Sequence, residues 1–239
     1  MRFWPRFRIY WGWYVVLAAF LASTVAASAS GFVFSVIVKP MTTAMGWTRT
    51  EFFLAITIGG IVAGVLSPLT GRLVDRYGAR YIMAGGALFL AGSLLLTSQV
   101  TNLWQYYLVY GLGLGVSRPL LQSVAGPTAV VNWFVRKRNR VLPILAAASS
   151  ASALMIFPVT YVIGNYDWRL AWVLLGSVAL IFGVFPAWFF IRKRPEDMGL
   201  LPYGLTAEEA EAAQSRVEGE SSLSELDPGW RLSQVLRMK

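Results

Sequence analysis

Residues 71–80 read GRLVDRYGAR: two glycines, one aspartate and three arginines set between long stretches almost free of charge. That contrast decides the fold. Uncharged or nearly uncharged runs occupy roughly 11–38, 52–70, 81–100, 103–131, 141–166 and 170–191. Each reaches the roughly 20 residues that a helix needs to cross about 30 Å of hydrocarbon. The runs are continuous, whereas barrel strands would alternate lipid-facing and lumen-facing residues, so the sequence predicts helices. The expected class is all-α integral membrane, a bundle of six transmembrane helices.

Composition agrees, with 56% hydrophobic residues, 14% aromatics and a formal net charge of +9 over 239 residues. Such an excess of positive charge can indicate nucleic acid, but its placement here is topological. Arg2, Arg6 and Arg8 precede the first run; Arg72, Arg76 and Arg80 lie between the second and third. Arg136, Lys137, Arg138 and Arg140 lie between the fourth and fifth, and Arg192, Lys193 and Arg194 follow the sixth. Lys39, Arg49 and Arg169 fall on the opposite side. By the positive-inside rule both termini are expected in the cytoplasm, in a cell inner membrane, with the lipid bilayer and no nucleic acid as partner. Cleavage of a signal peptide near Ala27 and Ala29 is disfavoured, because the apolar run continues to Val38 and its loss would invert the charge rule.

The chain contains no cysteine and no histidine. A disulfide framework, a Cys/His zinc site and a Ser-His-Asp triad are thereby excluded, and no metal, cofactor or catalytic residue is expected. The chain reads as a non-enzyme. Residues 1–194 form the expected transmembrane unit. After it comes AEEAEAAQSRVEGESSLSELD, an acidic stretch without aromatics, so 195–239 reads as a solvated cytoplasmic linker. Small residues at Gly60 and Gly64, at Gly111 and Gly115, and through AAASSASA at 146–153 mark expected helix contacts. Pro119, Pro127, Pro143 and Pro158 are expected to interrupt their runs. Trp47, Trp104, Tyr166 and Trp168 are expected at the headgroup belt.

Arg118, in GVSRPLL, is the charge set deepest in a run. An arginine at a helix centre costs roughly 2.5–3.5 kcal/mol on insertion scales, so such residues face a cavity or a partner. It is a candidate to receive a carboxylate through paired hydrogen bonds. The bland alternatives are pairing with a group elsewhere or snorkelling. Lys39, in VIVKPM, reads on its own as a snorkelling anchor that closes the first run.

The pattern of Gly71, Arg72, Asp75, Arg76, Gly78 and Arg80 resembles the signature loop between the second and third helices of the major facilitator superfamily. YWGWYVVLAAF at 10–20, GWTRTEF at 46–52, NWFVRKRNR at 132–140, DWRLAW at 167–172 and RKRPEDMGLLPYG at 192–204 are similar to its monocarboxylate transporter and oxalate:formate antiporter branch. The resemblance implies a secondary active transporter of small organic anions built from two six-helix halves, each a 3+3 inverted repeat. This chain would supply the N-terminal half, with the C-terminal half as a missing partner and a proton or counter-anion as coupling partner. It further implies that Asp75 and its neighbouring arginines latch the cytoplasmic side, and that Lys39 takes part in substrate and proton binding. GNYDWR at 164–169 is a weaker echo of the same loop. Two other readings stay open: a facilitator of a sugar, drug or neutral metabolite, and a non-transporting six-span membrane module.

Overall fold

The computed structural model describes residues 10–134 and 137–192. The readings that fall on Arg2, Arg6, Arg8, Arg136, Lys193, Arg194 and the linker 195–239 therefore lie outside the described residues. Within them the chain is helical throughout, and four helical stretches are long and apolar enough to cross a membrane: Arg49–Tyr77, Ala79–Thr97, Arg138–Asn165 and Trp168–Phe190. The first and fourth expected runs take other forms.

The first run is broken. Helix α1 (Gly12–Ser28) ends at the small residues Ala29, Ser30 and Gly31, and α2 (Phe34–Met45) begins after a turn. Lys39 thus does not close a span: it stands inside α2, which runs on through Pro40 to Met45. Helix α3 (Arg49–Tyr77) starts with a capping box, the Thr48 side chain accepting from the Glu51 N–H while the Glu51 carboxylate accepts from the Thr48 N–H. Its 29 residues span about 43 Å, roughly 13 Å more than the hydrocarbon is thick. Helix α4 (Ala79–Thr97) follows after a single residue.

The stretch 103–131 is helical with two wide turns. After α5 (Leu103–Tyr106) comes a π turn, Tyr107–Gly111, then α6 (Leu112–Arg118), a second π turn, Pro119–Ser123, and α7 (Ala125–Val131). A π turn lets carbonyls slip out of the regular ladder, and in lipid each freed carbonyl needs another donor. Neighbouring helices add donors here: Ser93 Oγ of α4 donates to the Val109 carbonyl at 2.7 Å, which also accepts from the Leu112 N–H three residues on, and Ser23 Oγ of α1 donates to the Leu121 carbonyl at 3.3 Å. The remaining helices are α8 (Arg138–Ala146), α9 (Ala148–Ala151), a 3₁₀ turn Ser152–Met155, α10 (Ile156–Asn165), α11 (Trp168–Val178), a π turn Ala179–Val184 and α12 (Phe185–Phe190). The 3₁₀ turn precedes Pro158 and the last π turn precedes Pro186, as expected where a proline withdraws an N–H and crowds the carbonyl four residues back.

The core is aromatic at both ends and small in the middle. At one end Phe34, Phe52, Tyr106, Tyr110 and Trp172 pack ring on ring, with Tyr106 and Tyr110 stacked at 5.2 Å. At the other, Trp133 and Phe134 are fully buried; Tyr10 packs on both, and Trp133 and Trp11 donate to the carbonyls of Arg192 and Phe190. Between them lie Ala18, Ala19, Ala22, Ala26, Ala87 and Ala91. Trp47 and Trp168 join this packing, Trp47 lying 5.4 Å from Tyr106 and Trp168 being buried, whereas Trp104 and Tyr166 are exposed.

The glycine contacts correct the expected ones by one residue. Gly59, not Gly60 or Gly64, is where α3 meets the stretch 103–131; a methyl group on it would lie 3.0 Å from the Gly111 carbonyl oxygen. Gly60 and Gly64 face open space, while Gly111 and Gly115 close on Ala55, Val62 and Gly59.

Candidate functional site

Three groups of residues are candidates for function: the packet at 71–80, the arginine between the π turns, and Lys39. The packet is less a loop than its composition suggests. Residues 71–77 continue α3 to its end, so Arg72, Asp75 and Arg76 occupy positions three and four apart on a helix surface. Only Gly78 turns the chain. Its φ of 85° and ψ of 154° suit glycine alone, its N–H donates to the Val74 carbonyl, and α4 starts at the next residue. Gly71 has no comparable requirement, since a methyl group there would meet nothing within 4 Å.

The charges of the packet point in different directions. Arg72, Asp75 and Arg76 are exposed, and the Asp75 carboxylate accepts no hydrogen bond from any described residue. The Arg76 guanidinium lies 5.3 Å from the centre of the Tyr77 ring. Arg80 instead turns inward over Trp188 of α12, 4.7 Å from the ring centre, and its Nε is buried without a hydrogen-bond partner among the described residues. Such a contact between a guanidinium and an indole face contributes roughly 0.5–1 kcal/mol or more when desolvated. Arg80 is therefore a brace between α4 and α12, whereas Asp75 and Arg72 are presented outward.

Arg118 is the last residue of α6, immediately before the π turn that Pro119 opens. It is partly buried, and its guanidinium makes no hydrogen bond to any described residue. The Ser123 hydroxyl donates to its backbone carbonyl at 3.3 Å, which fastens the main chain and leaves the side chain free. Arg118 lies within electrostatic reach of the Tyr110 ring, whose hydroxyl donates to the Ala29 carbonyl at the α1–α2 break. A permanently charged fork with five donors and no acceptor is thus left open among otherwise apolar helices. Lys39 is exposed on α2, a different element, and no hydrogen bond of this structure joins the two cations through a shared group.

Sequence reading missed the polar residues that hold this region in place. Ser23 and Ser93 sit in apolar runs and carry no motif, and the glycines they face, Gly126 and Gly113 respectively, meet them only in the fold. Arg169, which the sequence marks as a charge on the side opposite the basic loops and as part of an echo of the packet, has a structural role as well. Its Nη1 donates to the carbonyls of Ser98 at 2.6 Å and Val100 at 3.3 Å, so it fastens the end of α4 to the start of α11. Asp167 caps α11 beside it by accepting from the Arg169 N–H. Among the described residues no group of His, Cys, Asp or Glu side chains could hold a metal ion.

The model of the Major Facilitator Superfamily matches residues 17–236. Curated relatives include the uncharacterized MFS-type transporter YcxA of Bacillus subtilis, 26% identical over 77% of this chain and 46% of that protein. Monocarboxylate transporter 2 of Homo sapiens is 27% identical over 71% of this chain and 35% of its own length. The membrane sensor protein UhpC of Escherichia coli is 25% identical over 72% of this chain and 39% of its own. The chain thus spans less than half the length of these relatives.

Proposed function

Because the chain belongs to the Major Facilitator Superfamily, a family of multi-pass membrane transporters, we propose that it forms the N-terminal, six-helix half of a secondary carrier for a small monocarboxylate or related organic anion. In this reading the stretches 12–45 and 103–131 count as two spans beside the four helical stretches long and apolar enough to cross a membrane, in a 3+3 arrangement. Both termini face the cytoplasm of a bacterial inner membrane, and a second six-helix half completes the carrier. Residues 1–194 are the membrane unit, and 195–239 link it to that half.

Arg118 carries the proposal. A guanidinium without a hydrogen bond, partly buried between apolar helices, costs free energy unless an anion or a solvated cavity meets it. A carboxylate supplies two parallel acceptors, and the similarity to monocarboxylate transporter 2 favours that substrate class. Lys39 is assigned to a second contact with the substrate or with a coupled proton or counter-anion. The exposed Asp75, with Gly71, Arg72, Arg76, Gly78 and Arg80, forms the cytoplasmic latch. A carboxylate there can cap a helix of the other half and bias the rocking equilibrium that alternating access requires.

The test is uptake of labelled lactate, pyruvate, oxalate and formate into vesicles carrying the complete protein. Arg118→Ala should lower kcat/KM by about tenfold or more, the effect of losing one charged hydrogen-bonded contact; Lys39→Ala should lower it less. Wild-type rates in both variants would refute the site. Asp75→Asn should reduce transport and shift labelling toward the inward-open form, and unchanged transport with unchanged labelling would remove the latch. The similarity to the sensor UhpC supports a second reading, in which the protein binds an anion without moving it. Saturable binding with no uptake would favour that reading, and competition by a sugar or drug would favour a different substrate.

A further inference from the structure

We infer that Ser23 and Ser93 are positioning residues for Arg118: from two different helices they hold the two π turns on either side of it, and so set the direction in which the guanidinium points. The inference rests on the substrate role proposed for Arg118 only for its transport consequence, and its structural part stands independently.

Four observations support it. Both serines are buried, Ser93 at 7% and Ser23 at 1% exposure, and each donates to a carbonyl within a π turn, Val109 or Leu121. These two carbonyls bracket Arg118 in sequence, nine residues before it and three after. Each serine also fits against a glycine. A methyl group on Gly113 would collide with Ser93 Oγ, and one on Gly126 would lie 2.7 Å from the Leu121 carbonyl oxygen and 3.4 Å from Ser23 Oγ. Finally, the first π turn contains no proline to enforce it, so an outside hydrogen bond is what distinguishes it from an ordinary α turn.

The geometry gives the consequence. Without its outside donor, a freed carbonyl in an apolar setting is best satisfied by the chain itself, through return to the regular i to i−4 ladder. Converting a π turn to an α turn moves the register beyond it by one residue, a rotation of about 100° around the helix axis. Arg118 would leave the face it now occupies, and buried neighbours such as Ser117 would be carried toward that face. The stretch 112–118 therefore behaves as a short rotor held at both ends, with a hydroxyl of α4 at one end and a hydroxyl of α1 at the other.

Residues 1–239 contain no cysteine, and any that the complete protein carries elsewhere is first replaced by serine, so that each introduced thiol is the only one labelled. Single cysteines at 116, 117 and 118 in the complete protein, in membranes, are labelled with a water-soluble maleimide. With both serines present, Arg118→Cys should label and Ser117→Cys should not, following their partial and complete burial. In the Ser93→Ala background, labelling at 118 should fall several-fold and that at 116 or 117 should rise. Gly113→Ala, which displaces the Ser93 hydroxyl while leaving the serine in place, should give the same altered pattern and guards against a folding defect in Ser93→Ala. Ser23→Ala should change the pattern as well. An unaltered pattern in both Ser93→Ala and Gly113→Ala overturns the inference. In transport, Ser93→Ala with Arg118 restored should raise KM about tenfold while kcat changes less. An altered labelling pattern without any rise in KM would leave the positioning role intact and remove the substrate role of Arg118.

Discussion

Helix α4 and the stretch 103–131 are neighbours in sequence, both apolar and both rich in glycine, yet most of their glycines stand in different surroundings. In α4, Gly85 and Gly92 face open space and only Gly86 is close-packed, where an added methyl group would lie 2.6 Å from Leu120 Cβ; the ladder runs from Ala79 to Thr97 without interruption. In the second stretch, Gly111, Gly113, Gly115 and Gly126 all lie against backbone or side-chain atoms of other helices or of the stretch itself. The uninterrupted helix satisfies its own backbone and serves as a wall. The interrupted one borrows hydrogen bonds from α1 and α4 and can approach α3 closely only where it has no side chain. Each carries an arginine, but Arg80 of α4 rests on the Trp188 ring, whereas Arg118 has neither a hydrogen bond nor a ring contact among the described residues. Glycine content alone does not separate scaffold from machinery; the atoms around each glycine do.

The largest effect is expected where that difference is most severe. Gly115→Val places a Cβ 2.6 Å from Val62 Cβ and 2.9 Å from the Gly59 carbonyl oxygen. Backbone cannot yield as a flexible side chain can, so the variant should lose about 3 kcal/mol and unfold well below the parent in a thermal melt of detergent-purified protein. A melt within a degree or two of the parent would mean that α3 and α6 are held less closely than the structure shows.

Gly78→Ala comes next. It tests whether the wall helix α4 depends on the turn that begins it, because a residue with a side chain at φ 85° is strained by about 1–2 kcal/mol. Gly71→Ala, seven residues earlier on α3, should be close to neutral in the same melt, since its added methyl group touches nothing. Equal losses at the two positions would show that the packet's glycines serve packing rather than the turn.

At the far end of α4, Arg169→Ala removes two donors from the carbonyls of Ser98 and Val100 and should cost about 1 kcal/mol. Arg169→Lys should recover only part of it, because the ammonium on its shorter side chain falls short of the place from which Nη1 donates to both carbonyls. Full stability in Arg169→Ala would mean that α4 and α11 are fastened by their apolar contact alone.

How much of this was legible in the residues depends on the length scale of the signal. Long uncharged runs announce helices because lipid leaves the backbone no other partner, and the packet at 71–80 announced the family through residue types at fixed spacing. Gly71 and Gly78 read alike as turn residues in that packet, but only Gly78 turns the chain, while Gly71 lies within α3. The choice of Gly59 over Gly60 was not legible, because one residue is a rotation of about 100° and both faces of α3 contain small residues. The break at 29–33 was hidden inside an apolar run, where Ala29, Ser30 and Gly31 read equally well as helix packing. The π turns were hidden more deeply still. What keeps them open is a hydroxyl on another helix, and no local pattern around Tyr107 or Pro119 records that Ser93 or Ser23 will be there. For the same reason the sequence named Arg118 but not the residues that aim it.

The smallest effect should also have the opposite sign. Gly92→Ala adds a methyl group that meets nothing within 4 Å, in the interior of an uninterrupted helix. Glycine there only enlarges the set of unfolded conformations, so alanine should raise stability by about 0.5 kcal/mol. If α4 is purely a wall, transport by the Gly92→Ala variant should be that of the parent. A variant that melts higher but transports more slowly would mean that the open face of α4 around Gly92 closes on something during the cycle, and the division between a rigid helix and a moving one would have to be redrawn through α4 itself.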